Sequence, residues 1–152
     1  MKVIIVLISI IILNSCRENK LLNKPINQDK VVPISNISNY DSITNLVKNK
    51  GNVDAYDELY YFLMDSNKED RTDTVMYYSK IMAEKYNNET AYYNYFKALC
   101  EKYNVGVDFS DFSKIDMSKM DSSSKKQIKD WLKKMLEKKV ITKEQYNSVK
   151  NL

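Results

Sequence analysis

The sequence predicts an all-α protein: a short solenoid of antiparallel helix pairs, closed by a C-terminal helical hairpin. Three observations predict it. From Tyr40 onward apolar residues recur at helical spacing, a twelve-residue stretch recurs at an offset of 36, and strand signals are almost absent.

The helices follow in order. Ile43, Leu46 and Val47 mark a short helix that ends at Gly51, a residue suited to a C-terminal stop. In "NVDAYDELYYFLMD", Ala55, Tyr56, Leu59, Tyr60, Leu63 and Met64 fall on one side of the next. A third helix runs from Asp73 to Tyr86, with Met76, Tyr77, Ile81 and Ala83 facing inward. A fourth, Glu89 to Tyr103, has Tyr92, Tyr95, Phe96, Leu99, Cys100 and Tyr103 at i, i+3, i+4, i+7, i+8 and i+11.

"NVDAYDELYYFL" from Asn52 and "NETAYYNYFKAL" from Asn88 align with Asn52/Asn88, Ala55/Ala91, Tyr56/Tyr92, Tyr60/Phe96 and Leu63/Leu99 in register. Small residues let helices approach, and aromatics fill the space beyond them. The partner helices repeat less closely, "MYYSKIMA" matching "DWLKKMLE" only if "VGVDFSDFSKIDMSKMDS" is an insertion. A period in the thirties with two helices per unit belongs to solenoids, whose neighbouring units share a core. Toward the C-terminus, Ser124 with Gln127 reads as a capping box, followed by an apolar stripe of Ile128, Trp131, Leu132, Met135 and Leu136. Thr142 with Gln145 reads as a second box, with Ile141 and Tyr146 placed as a hydrophobic staple.

At these residues the chain resembles Sel1-like and tetratricopeptide-type repeats, whose units begin with an Ala-aromatic helix. The resemblance covers about residues 40–152, although the inter-helix glycines of those families are mostly missing, the chain having only Gly51 and Gly106. It implies a helical scaffold that binds proteins or peptides and has no active site. "LKKMLEKKVITKEQYNSVKNL" is similar to a short bacterial C-terminal hairpin associated with oligomerisation, with Lys139 where that family usually has glycine. That likeness implies weak homo-oligomerisation; the residues themselves favour the plainer reading, a hairpin that caps the repeat stack.

The first residues form a separate address. Val3 to Leu13 is apolar apart from Ser9, and as a helix it spans about 17 Å, short of the ~30 Å hydrocarbon core. With Lys2 before it and a small residue after, it reads as a secretory signal peptide. Leu13-Asn14-Ser15-Cys16 resembles the lipobox of bacterial lipoproteins. The resemblance implies cleavage between Ser15 and Cys16 and acylation of Cys16, with two or three acyl chains giving a stable anchor. Asn14 departs from the smaller residue common in that family. Arg17, where inner-membrane retention would call for aspartate, implies the outer membrane in a bacterium that has one. The expected organisation is a signal peptide at 1–15, the lipidated cysteine and a flexible tether at 16–39, and the helical domain at 40–152. Pro25, Pro33 and the absence of any period suit a tether, whose 23 residues from Arg17 would span roughly 26 Å.

Composition narrows the chemistry. The chain of 152 residues has no histidine, which removes the commonest general base, the Ser-His and Cys-His nucleophile pairs and the usual zinc ligand. With Cys16 lipidated, Cys100 has no disulfide partner, and its place in an apolar stripe suggests a buried, inert thiol. Asp108, Asp111, Asp116 and Asp121 lack the order of a calcium loop. No cofactor or metal is expected, nor enzymatic activity. A formal charge of +4 is too mild to imply nucleic acid.

Charge is unevenly placed. Asp54, Asp57, Glu58, Asp65, Glu69, Asp70 and Asp73 stand against Lys68 and Arg71, whereas Lys125 to Lys139 holds seven lysines against Asp130 and Glu137. The two regions either face each other within the domain or each present a field to an outside partner. Lys125, Lys129 and Lys133 are the candidate partner surface, for an acidic protein or anionic lipid. Ten of the twelve tyrosines lie between Tyr56 and Tyr103, either as core residues with their hydroxyls at the rim or lining a groove for sugars or peptides. The expected function is that of a lipid-anchored envelope scaffold binding an envelope protein or peptide. The alternatives are an envelope inhibitor or immunity-type lipoprotein, and a ligand-binding accessory of an uptake system.

Overall fold

The computed structural model describes residues 39–152, so Ser15, Cys16 and nearly all of the tether lie outside the described residues. Among the described residues six α-helices follow one another: α1 Tyr40–Asn45, α2 Val53–Met64, α3 Arg71–Tyr86, α4 Glu89–Lys102, α5 Ser122–Glu137 and α6 Lys143–Ser148. A π-helical turn, Leu46–Lys50, continues α1, and a 3-10 turn, Phe112–Lys114, sits in the long α4–α5 connection. Among the described residues the sole strand-like pairing is one isolated bridge between Asp116 and Lys150. The fold is an all-α helix-pair repeat in which α3 and α4 form the most extensive contact, α2 packs on α3, α5 on α4, and α6 on α5 and the 3-10 turn.

The sequence repeat is a structural one, beginning at the preceding helix ends. Gly51 and Asn87 both adopt left-handed backbone, φ 62° and 52°. After each comes an asparagine N-cap, and the Asn52 and Asn88 side chains both accept from the backbone N–H three residues on, Ala55 and Ala91, at 2.8 Å. The N–H of each asparagine also reaches back to a carbonyl six residues earlier, Asn52 to Leu46 at 3.3 Å and Asn88 to Met82 at 3.0 Å. The helix termini that would otherwise hold unpaired groups are thereby closed in the same way in both units.

Gly51 is needed twice over. Its φ favours glycine, and a Cβ there would fall 2.3 Å from the Tyr86 ring. With glycine present, the Tyr86 hydroxyl and the Lys85 ammonium both donate to the Lys48 carbonyl at 2.9 Å. The end of the first helix is thus fastened to the end of α3.

One core runs through the domain. Tyr56, Leu59, Met82, Tyr92, Phe96, Leu99, Ile128, Leu132 and Met135 are all essentially inaccessible. The insertion joins that core: Phe112, Ile115 and Met117 are buried, and Met117 N–H donates to Lys150 O at 3.2 Å while Lys150 N–H donates to Ile115 O at 3.0 Å. The C-terminal hairpin is therefore stitched to its own domain as a cap. Thr142 and Gln145 form the expected capping box, Ile141 is buried, and Tyr146 packs against the core. Lys139 occupies a left-handed position, φ 60°, a backbone conformation that favours glycine.

The expected Ser124–Gln127 box is replaced by a different cap. Asp121 is the N-cap of α5, accepting from Ser123 and Ser124 N–H at 2.8 and 3.0 Å, while the Ser124 hydroxyl donates to the same carboxylate at 2.6 Å. A charged carboxylate at a helix N-terminus is favoured over a neutral hydroxyl by the helix dipole. Gln127 instead accepts from the Tyr103 hydroxyl at 2.9 Å.

Candidate functional site

The rotation of α5 about its axis sets which lysines face outward. Its inner stripe, Ile128, Trp131, Leu132 and Met135, is buried. Trp131 stacks on Tyr95 with centroids 3.9 Å apart, lies 5.5 Å from Tyr92, and donates its indole N–H to Tyr92 O at 3.1 Å. Lys134 covers Trp131 at 5.1 Å and pairs with Glu84 of α3. Because successive helix residues turn about 100°, Lys125, Lys129 and Lys133 then form an outward row at i, i+4 and i+8. Lys129 and Lys133 are exposed and Lys125 is half-buried. Lys126 is held by Asp130 at 2.6 Å and Lys133 approaches Glu137 at 4.0 Å. Lys125 and Lys129 make no ion pair within the described residues.

The acidic segment does not face this row. α2 and α5 are separated by the α3–α4 pair and do not touch. Within the segment, Asp73 pairs with Lys102 at 2.8 Å, and Arg71 pairs with Glu101, whose carboxylate also accepts from the Thr72 hydroxyl at 3.3 Å. Both pairs tie α3 to α4. Asp54, Asp57, Glu58 and Asp65 make no ion pair within the described residues, and α2 carries no cation of its own. Tyr61, 68 % exposed, stands among these carboxylates, with Val53, 49 % exposed, near the helix start.

Most of the tyrosines bind helices to one another. Tyr56 hydrogen-bonds Ser79 at 2.8 Å and accepts from Asn94 at 3.0 Å, joining α2, α3 and α4 through one buried hydroxyl; burial pushes its pKa up to about 12. Tyr93 donates to Val140 O at 2.6 Å and Tyr103 to Gln127, so both hold the C-terminal part to α4. Burial likewise pushes Tyr95 up to about 12 and raises Tyr78. Tyr92, the repeat mate of Tyr56, has a buried hydroxyl with no hydrogen-bond partner among the described residues. A shallow depression between α2, α3 and α4, lined by Tyr60, Met64, Arg71, Asn94 and Glu101, encloses no room for even a water-sized sphere, so it is not a preformed small-molecule site.

The insertion contains a pattern that sequence reading passed over. Asp108, Asp111, Asp116 and Asp121 are each followed two residues later by serine, and each accepts that serine's backbone N–H, at 2.9, 3.1, 2.8 and 2.8 Å. These are Asx turns, in which a short carboxylate satisfies the backbone where no helix can. The D-x-S recurrence was the signal available in the sequence. Hydrogen bonds and neighbouring lysine hold Asp108 well below the ordinary carboxylate range, and serine donors lower Asp111, Asp116 and Asp121. Between the turns Phe109 and Phe112 reach Phe96, with centroids 6.2 and 6.5 Å away.

Among the described residues, no cluster of potential ligands could hold a metal ion, and no helix is long and apolar enough to cross a membrane. Cys100 is fully buried, and burial pushes its thiol up to about 12. No protein-family model matches the chain, and no curated protein or solved structure matches it significantly.

Proposed function

We propose that this is a lipid-anchored protein of the bacterial envelope, held through Cys16 after removal of residues 1–15, that acts as a non-enzymatic protein- or peptide-binding scaffold. The segment at 16–39 serves as its tether, and the outer membrane is its favoured location. Its repeat belongs with the Sel1-like and tetratricopeptide-type scaffolds. The observation that carries the binding role is the outward row Lys125, Lys129 and Lys133, set on a helix whose rotation is locked by Trp131 and left unneutralised by the unpaired carboxylates of α2. Like charges on one face add their fields and steer an acidic partner.

Two measurements test the proposal. Mass spectrometry of the mature protein should find acyl chains on an N-terminal Cys16, and Cys16→Ala should abolish the acyl label; an unmodified cysteine, or an N-terminus elsewhere, overturns the anchor. A photoreactive amino acid at Lys129, activated in native membranes, should capture a discrete protein partner, which mass spectrometry identifies. Capture of lipid alone overturns the scaffold role.

A further inference from the structure

We propose that the lysine row of α5 docks onto the acidic outer face of α2 in a second copy of this chain, linking copies head to tail. The inference rests on the reading of the lysine row as a protein-binding surface, and it names the partner. Asp54, Glu58 and Asp65 fall along one stripe of α2 at i, i+4 and i+11, with Asp57 and Tyr61 beside them. Asp54, Glu58, Tyr61 and Asp65 are exposed, and none of the four carboxylates has an ion-pair partner among the described residues. At 1.5 Å per residue the acidic stripe is about 17 Å long and the lysine row about 12 Å, so three ammonium groups can lie along it.

Tyr61 supplies what charge alone lacks. Its ring is 68 % exposed and is set edge-on against Tyr60 at 5.8 Å, which limits its freedom before any partner arrives. The aliphatic stems of lysines can cover such a ring while their ammonium groups reach the flanking carboxylates. Both surfaces exist on every copy, and the α3–α4 pair between them keeps one chain from closing on itself. Two different patches that complement each other make a heterologous contact, which extends as a row of copies. Exposed ion pairs each contribute little, so the contact is weak in dilute solution and builds up where copies are concentrated on a surface.

The test uses the full chain in its membranes, expressed with two different epitope tags. A photoreactive phenylalanine analogue at Tyr61 should crosslink the two tagged forms, with the bond mapped to residues 122–137 of the other copy. Lys125→Glu, Lys129→Glu and Lys133→Glu together should lower that dimer yield at least about fivefold, as should salt of about 0.5 M, where screening shortens the reach of charge to a few ångströms. Asp54→Lys, Glu58→Lys and Asp65→Lys together should do the same, and both sets in one chain should restore the dimer. Lysine-to-glutamine variants with unchanged thermal unfolding guard against loss through misfolding and should also reduce the yield. A dimer yield within twofold of wild type in the charge-reversed chains, or Tyr61 crosslinks confined to other polypeptides, overturns the proposal. If Tyr61 finds no second copy while the Lys129 probe captures a different protein, self-docking fails and the scaffold reading stands; if neither probe captures protein, both fail.

Discussion

Replacing Gly51 by alanine probes the joint between the first helix and α3. The added Cβ would stand 2.3–2.7 Å from three atoms of the Tyr86 ring, so the ring must move. Moving it breaks the 2.9 Å bond from the Tyr86 hydroxyl to Lys48 O, a contribution of about 1 kcal/mol. The left-handed backbone, φ 62°, adds about 1–2 kcal/mol for any residue with a Cβ. Gly51→Ala is therefore expected to cost about 2–3 kcal/mol, or about 8–15 °C in Tm for a domain of this size. Urea and thermal unfolding of the single and double variants with Tyr86→Ala measure it. With Tyr86→Ala already present, the alanine should cost only the backbone part, about 1–2 kcal/mol, so the two changes should be strongly non-additive. Equal cost of Gly51→Ala with and without the tyrosine would refute the steric reasoning, and a cost below about 1 kcal/mol would refute the backbone reasoning as well.

Lys139→Gly should stabilise the domain by about 0.5–1 kcal/mol in urea unfolding, because Lys139 holds φ 60° and glycine relieves that strain at the end of α5. Cys100 should stay unlabelled by a thiol reagent at pH 8 in the folded protein and react fully once urea unfolds it, since burial excludes the reagent and raises the thiol to about 12. Acid should loosen the insertion: Asp108, Asp111, Asp116 and Asp121 have folded pKa values below their unfolded ones, so their stabilising contribution is present above about pH 4 and is lost as pH falls through the lowered values. Hydrogen exchange over 105–121 should accelerate between pH 4 and pH 2 relative to α3 and α4. Replacing the four by asparagine, which keeps an Asx acceptor and removes the titration, should flatten that difference.

Much of this protein was legible in one dimension. Helical spacing of Tyr92, Phe96, Leu99 and Cys100 places α4 without ambiguity, because a 3.6-residue period admits one buried face. The Asn-x-x-Ala recurrence likewise marks two identical helix starts, since capping is a local interaction among residues three apart. The Thr142–Gln145 box was legible for the same reason.

The tertiary structure decided what local rules leave open. Ser124 had the right chemistry for a cap, yet Asp121 three residues earlier took the role, a competition between neighbours that the pattern alone does not rank. The insertion, polar and aspartate-rich to the eye, places Phe112, Ile115 and Met117 in the core, because a gap between α4 and the C-terminal hairpin exists only once both are packed. Gly51 could be read as a stop, but its contact with Tyr86, 35 positions away, depends on how two helix ends meet. Above all, the sequence by itself determined that acidic and basic residues cluster; only the fold set α3 and α4 between them. Charge is a property of residues, whereas pairing is a property of distance, and distance between residues far apart in the chain is fixed by packing alone.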